Sequence, residues 1–131
     1  MSALDAAGLY TGLNLLILVI LGFHVSMGRR KNAVSMGDGG NPGMNARVRA
    51  HGNAAEWIPG ALVGLVVLAL MGASAFLIHT FGLLFTLARA AHAYAMCTGG
   101  RPGPGRFMGS LITYASYLVM GVALIYFAVT V

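Results

Sequence analysis

Long apolar stretches alternate with short polar segments along the chain, at intervals typical of membrane-spanning helices. Residues 6–28 carry no formal charge and exceed the roughly 20 apolar residues that one transmembrane helix needs. A polar, glycine-rich loop follows, and a second helix should begin shortly after Pro42. A second glycine-rich loop precedes a last apolar stretch at 107–131. The pattern predicts one transmembrane domain over 1–131, with helices at about 6–28, 44–72, 74–96 and 107–131.

The middle of the chain predicts two helices joined by a tight turn. Residues 57–88 form a run of 32 residues without a charge. One span needs about 20 residues and two need about 40, so this run is too long for one helix and too short for two. The break at Met71–Ser74 favours a hairpin whose helices extend into the charged flanks. Glu56 and Arg89 are therefore expected at membrane depth.

Composition supports a membrane protein and argues against a nucleic-acid partner. Of the 131 residues, 58% are hydrophobic and 8% are charged, whereas soluble domains carry about 25% charged residues. The net charge of +5 comes mainly from basic residues beside the predicted spans, which suits membrane orientation better than nucleic-acid binding. Loops one and three are expected on the cytoplasmic side and both termini on the opposite side. No His, Cys or Asp spacing predicts a metal site.

Polar residues on the two central helices are predicted to face each other. In an antiparallel hairpin centred on Gly72–Ala73, residues equidistant from the turn lie at the same depth. Glu56 is then opposite Arg89, and Asn53 is opposite His92. These pairs predict a buried ion pair and an inter-helix hydrogen bond, although the same side chains could also contact a ligand.

Arg49 extends this polar stripe and points to a binding site. Arg49, Asn53 and Glu56 follow i, i+4, i+7 spacing on one helix face. Charges within a membrane span usually point inward, where they are paired or line a wet cavity. With Glu56 assigned to Arg89, Arg49 has no acidic partner. An unpaired arginine beside a polar cleft is a candidate anion site.

Two segments resemble motifs of the MAPEG family, the membrane-associated proteins in eicosanoid and glutathione metabolism. "RAHGNAAEWIP" at 49–59 looks like the family's second-helix signature, and "RAAH" at 89–92 is similar to its third-helix motif. The resemblance covers nearly the whole chain, with four helices and two basic loops in the expected order. The short loops look most like the small bacterial inner-membrane branch.

This resemblance implies an all-α, up-down-up-down four-helix bundle in the membrane, assembled as a homotrimer. Glutathione would bind between subunits as co-substrate, and a lipophilic electrophile or hydroperoxide would come from the bilayer. The implied glutathione-binding residues are Arg49, Asn53, Glu56, Arg89, His92 and, from the neighbouring subunit, Arg30.

The same resemblance assigns the catalytic role to an arginine after the third helix. Arg106 is the best match for the residue that stabilises the glutathione thiolate, with Arg101 as the rival. Met96 stands where eicosanoid-making relatives often have a tyrosine, and Gly52 stands where some relatives have a basic residue. Both departures weaken the expectation of a specific eicosanoid activity.

Two other classes of function are open at this point. A MAPEG-like scaffold or lipid-binding trimer would keep the polar cluster for structure alone, with its members satisfied by one another. A small four-helix drug exporter has a similar length, but such exporters carry an essential glutamate in the first helix, where this chain has none. An open cleft beside the cluster would favour glutathione binding over the scaffold.

Overall fold

A computed structural model describes residues 1–99 and 103–130, which form four helices and, within these ranges, no strand. The helices are α1 (Ala3–Lys31), α2 (Pro42–Leu70), α3 (Ala75–Gly99) and α4 (Pro104–Thr130). By length and composition, each could cross a membrane. The prediction of an all-helical chain with four helices long and apolar enough to span a membrane is confirmed for the described residues.

Capping side chains fix helix ends that hydropathy alone does not locate. The Ser2 hydroxyl accepts a hydrogen bond from the backbone N–H of Asp5, and the Asp5 carboxylate accepts one from the backbone N–H of Ser2. This capping box begins α1 three residues before the expected 6–28. Asn41 caps α2 by accepting from the Met44 N–H at 3.0 Å, directly before Pro42 at the first helical position.

The turn between α2 and α3 lies at Met71–Ser74, where the uncharged run predicted it. Gly72 has φ +88°, a left-handed conformation that glycine adopts without steric cost. The Ser74 hydroxyl accepts from the Leu77 N–H at 3.3 Å and so caps α3. Both helices then run past the apolar segment into the polar flanks.

The core lies along the seam between α2 and α3. Each of these helices packs against the other and against both α1 and α4, whereas α1 and α4 do not touch within the described residues. Ile58 and Leu65 of α2 and Ile78 and Phe85 of α3 are buried in this seam. Large apolar side chains remain exposed on the outer faces of all four helices, which suits a lipid environment.

A close approach of α4 to α3 brings the start of α4 beside the predicted polar residues. A Cβ on Gly109 would lie 2.7 Å from the Cβ of His92 and 2.8 Å from the carbonyl oxygen of Ala88. Small residues allow such contacts between membrane helices. The glycine thus lets Arg106, three residues earlier in α4, reach the end of α3.

Candidate functional site

A polar cleft of about 1110 Å³ opens at one end of the bundle. The loop between α1 and α2, the starts of α2 and α4, and the end of α3 form its walls. Four of the predicted site residues line it: Arg49, Asn53, His92 and Arg106. Packing therefore gathers side chains from three helices into one open site.

Arg89 does not line the cleft itself but holds Asn53, one of the residues that do. It is 1% exposed, and its Nη2 donates to Oδ1 of Asn53 at 2.7 Å. Its Nη1 donates to Oγ1 of Thr113 at 3.4 Å, while the Thr113 hydroxyl donates to the Gly109 carbonyl. Because the arginine occupies the carbonyl oxygen of Asn53, the amide NH₂ group is the part of Asn53 left for a ligand.

His92 ties the end of α3 to the start of α4. Its Nδ1 lies 3.1 Å from the carbonyl oxygen of Arg106 and 3.3 Å from the hydroxyl of Ser110. Since a carbonyl oxygen only accepts, Nδ1 carries the proton in this hydrogen bond, and Nε2 of the neutral ring is an acceptor. The contact fixes the backbone of Arg106 at the cleft.

Arg49 and Glu56 lie on the exposed side of α2, where Arg49 also lines the cleft and Glu56 does not. Nη1 of Arg49 is 4.0 Å from Oε1 of Glu56, and their side chains are 57% and 56% exposed. An ion pair of this length and exposure stabilises a protein by about 1 kcal/mol or less. Both charges consequently remain free to bind a ligand or a neighbouring subunit.

The predicted mirror pairs are wrong. Glu56 is near Arg49 rather than Arg89, and Arg89 binds Asn53, which the pattern had assigned to His92. The cause is helix rotation: at about 100° per residue, Arg49 and Glu56 differ by about 20°, while Asn53 is offset from them by about 40° and 60°. Asn53 thus turns inward and the two charges turn outward. Arg89, with its long side chain, meets the inward residue.

The other predicted residues have separate positions. Arg30 is exposed and does not line the cleft of its own chain, so its contact with a neighbouring subunit stays a prediction. Met96 lines the cleft, whereas Gly52 does not. Arg101 lies outside the described residues.

Ser110 and Tyr114 also line the cleft, and the sequence reading missed them. They follow Arg106 at intervals of four, which places all three side chains on one face of α4. This spacing was the available signal. The ring of Tyr114 packs against Trp57 of α2, with centroids 5.1 Å apart, so the stripe is held in place.

Asp38 organises the loop at the mouth of the cleft. Its carboxylate accepts hydrogen bonds from the side chain of Asn45 and from the backbone N–H of Gly40. These bonds hold the pKa of Asp38 below its ordinary value, with the bond from Asn45 contributing most. Because these bonds occupy its carboxylate, Asp38 stabilises the loop and is not a partner of the arginines in the cleft.

Comparison with known proteins gives a family and two bacterial relatives. The MAPEG family profile matches residues 7–126. The chain is 34% identical over 88 residues to the inner membrane protein YecN of Escherichia coli K12, with 67% of each chain covered. It matches the YecN protein of Escherichia coli O6:H1 to the same extent. The name of these relatives specifies a membrane and no reaction.

Proposed function

The chain belongs to the MAPEG family, and from this premise we propose that it is a membrane-embedded, glutathione-dependent transferase or peroxidase. Its second substrates are lipophilic electrophiles or hydroperoxides dissolved in the bilayer. The observation that carries the proposal is the open cleft, which gathers Arg49, Asn53 and Arg106 at one end of an apolar bundle.

The donors of the cleft match the groups of glutathione. Glutathione has two carboxylates, one ammonium group and a thiol. The guanidinium fork of Arg49 suits a carboxylate, and the NH₂ group of Asn53 adds a neutral donor. Glu56, 4.0 Å from Arg49, suits the ammonium group. In this arrangement, binding replaces the weak surface ion pair with contacts to the ligand.

Arg106 has the catalytic role in this proposal. A guanidinium beside the sulfur favours the thiolate, which is the nucleophilic form. The thiolate forms a sulfur–carbon bond with an electrophile, and the leaving group departs with its electron pair. With a hydroperoxide, the thiolate takes the distal oxygen and the alkoxide leaves as an alcohol after protonation. A second glutathione then reduces the resulting sulfenic acid, giving glutathione disulfide and water.

A homotrimer would cover the exposed charges of α2. Arg49 and Glu56 are more than half exposed on a helix that could cross the membrane. A charge facing lipid at the centre of a span costs about 2.5–3.5 kcal/mol on insertion scales, and less towards the interface. A neighbouring subunit removes this exposure, and its Arg30 could complete the site. The number of subunits, three, is what the family implies.

We also propose an up-down-up-down topology in a bacterial inner membrane. Arg47 near the start of α2 donates to the His24 carbonyl near the end of α1, and His92 near the end of α3 contacts Arg106 at the start of α4. Such contacts support antiparallel neighbours. The basic residues near these two loops support a cytoplasmic location for the cleft.

One observation favours the scaffold alternative for part of the cluster. Arg89 is enclosed, and its two terminal nitrogens donate to Asn53 and Thr113 as those of a structural residue would, although its buried Nε has no partner among the described residues. Arg49 and Arg106, by contrast, line an open cleft. The enclosed network supports the site, and the open part is available for a ligand.

Arg49→Ala should weaken glutathione binding about tenfold to a hundredfold, because a hydrogen bond to a charged group contributes about 1.5–3 kcal/mol. Isothermal titration calorimetry on the purified protein measures this change. Arg29→Ala is the matched control, since Arg29 donates to the Gly37 carbonyl at 3.2 Å and does not line the cleft.

The control variant should bind glutathione like the original protein. An equal loss of glutathione affinity in both variants would show that the effect comes from net charge and that Arg49 does not bind glutathione. Absence of binding to the unaltered protein at millimolar glutathione would refute the proposed function itself.

A further inference from the structure

A second, smaller cavity of about 290 Å³ lies between α1 and α3. On each helix its wall is a stripe with i, i+3, i+4, i+7 spacing, which is one helix face. The lining residues are Ile17, Ile20, Leu21 and His24 of α1, and Ala90, Ala93, Tyr94 and Cys97 of α3. The two alanines leave space between the helices, and we refer to this cavity as the α1–α3 groove.

The groove has a polar end and an apolar end. Cys97 lines both the groove and the polar cleft, so the two cavities share a wall at that point. His24 and Cys97 are the last residues of their stripes, while Ile17 and Ala90 are the first. From its apolar end, the groove therefore leads along the span towards the cleft.

The size and rim of the groove indicate what it can hold. An α-helix is about 10–12 Å across with its side chains, so two turns of helix need roughly three times the volume of this groove. The groove's volume of about 290 Å³ is close to the lower end of the range for small-molecule pockets, which suits a single alkyl chain. Ile20 and Tyr94 on the groove are 66% and 72% exposed, so the groove opens sideways towards the bilayer.

We propose that the α1–α3 groove binds the apolar tail of the electrophilic co-substrate and directs its reactive head to the polar cleft. The inference rests on the proposed function and adds a substrate class to it: unbranched, long-chain electrophiles. An amphiphile in a membrane leaflet already has its tail inward and its head at the interface. The groove has the same polarity, with Ile17 and Ala90 at the tail end.

Enzyme kinetics with two unsaturated aldehydes test the proposal. In both, the glutathione thiolate adds to the β-carbon and the α-carbon takes a proton, but dodecenal has a long tail and hexenal a short one. Ala90→Phe fills the tail end of the groove. It should lower kcat/KM for dodecenal about tenfold or more and change that for hexenal by about twofold or less.

Ala128→Phe is the matched control, because Ala128 is an exposed alanine of α4, which does not touch α1. This variant should treat both aldehydes as the original protein does. If Ala90→Phe lowers the two rates equally, or lowers neither, the groove is not the tail site. If the original protein turns over neither aldehyde, the proposed activity on these electrophiles is contradicted.

Photolabelling tests the groove without turnover. A dodecenal analogue with a diazirine at the tail end should label the segments 17–24 and 90–97, and Ala90→Phe should reduce this labelling about tenfold. Labelling elsewhere, or equal labelling of the variant, would overturn the proposal. So would labelling of the same segments by a diazirine-tailed phospholipid that dodecenal does not displace, because the groove would then be a structural lipid site.

Discussion

Arg106→Ala should lower kcat for glutathione conjugation about a hundredfold to a thousandfold, with little change in the affinity for glutathione. The guanidinium is assigned to the sulfur, where negative charge must be stabilised for attack, and losing one preorganised donor of this kind has an effect of that size. Arg106 lines the cleft, and its carbonyl oxygen is held by His92, so its backbone stays in place after the substitution.

The pH dependence of the rate separates this role from general damage to the site. In the unaltered protein, the thiolate is formed at neutral pH and kcat should be nearly flat. In Arg106→Ala, the rate should rise as pH increases towards the ordinary thiol pKa, because deprotonation is then required. Stopped-flow absorbance of the thiolate and steady-state rates measure both effects.

Arg101→Ala is the control for this assignment. Both arginines follow α3 in the sequence and are five residues apart, so the two variants lose the same charge from neighbouring positions of the chain. We expect Arg101→Ala to keep most of the activity and Arg106→Lys to recover part of it. A normal rate in Arg106→Ala, or the large loss in Arg101→Ala, would show that the catalytic assignment is wrong.

Arg89→Ala should lower the free energy of unfolding by about 2–5 kcal/mol. The substitution removes a buried side chain that contacts both Asn53 of α2 and Thr113 of α4. It leaves a cavity and a carbonyl oxygen without its donor. Thermal or denaturant unfolding in detergent micelles measures the change, and a variant as stable as the original would contradict the role of Arg89 in holding three helices together.

Arg89→Met separates the contribution of Arg89 to protein stability from its contribution to glutathione binding. Methionine fills much of the same volume, so this variant avoids most of the cavity that alanine leaves and should lose less stability, while the Asn53 carbonyl oxygen still loses its donor. Glutathione should nevertheless bind more weakly to this variant, because nothing then holds the Asn53 carbonyl oxygen away from the cleft. Unchanged affinity would show that Arg89 does not position Asn53.

Much of the fold is encoded in simple counts along the sequence. The 32 uncharged residues at 57–88 required a hairpin that extends into its polar flanks, and Arg89 indeed meets the polar stripe of α2. The depth of a residue in the bundle is predictable because each residue adds a fixed rise along the helix axis. The motif at 49–59 added the family, which composition does not specify.

The pairing of side chains within that depth was not predictable. Asn53 and Glu56 are three residues apart, slightly less than one helical turn, and the resulting offset of about 60° decides which of them faces Arg89. That rotation depends on packing across the whole bundle, including the contact at Gly109. The sequence shows which residues share a face but does not show which faces meet.

The two cavities could not be predicted from the sequence either, because they too depend on which helix faces meet. Ala90 and Ala93 are unremarkable in a list of apolar residues, and they become a groove only because α3 packs beside α1. Ser110 and Tyr114 became recognisable as cleft residues once the start of α4 lay beside His92. Sites between helices depend on contacts that are distant in sequence.

A structure determined with glutathione at saturating concentration would show directly whether the polar cleft is the glutathione site. We expect glutathione in this cleft, with a carboxylate at Arg49, the NH₂ group of Asn53 as a donor, and the sulfur beside Arg106. Glutathione bound elsewhere, or a cleft that stays empty of it at millimolar concentration, would show that the protein does not bind glutathione in the proposed way.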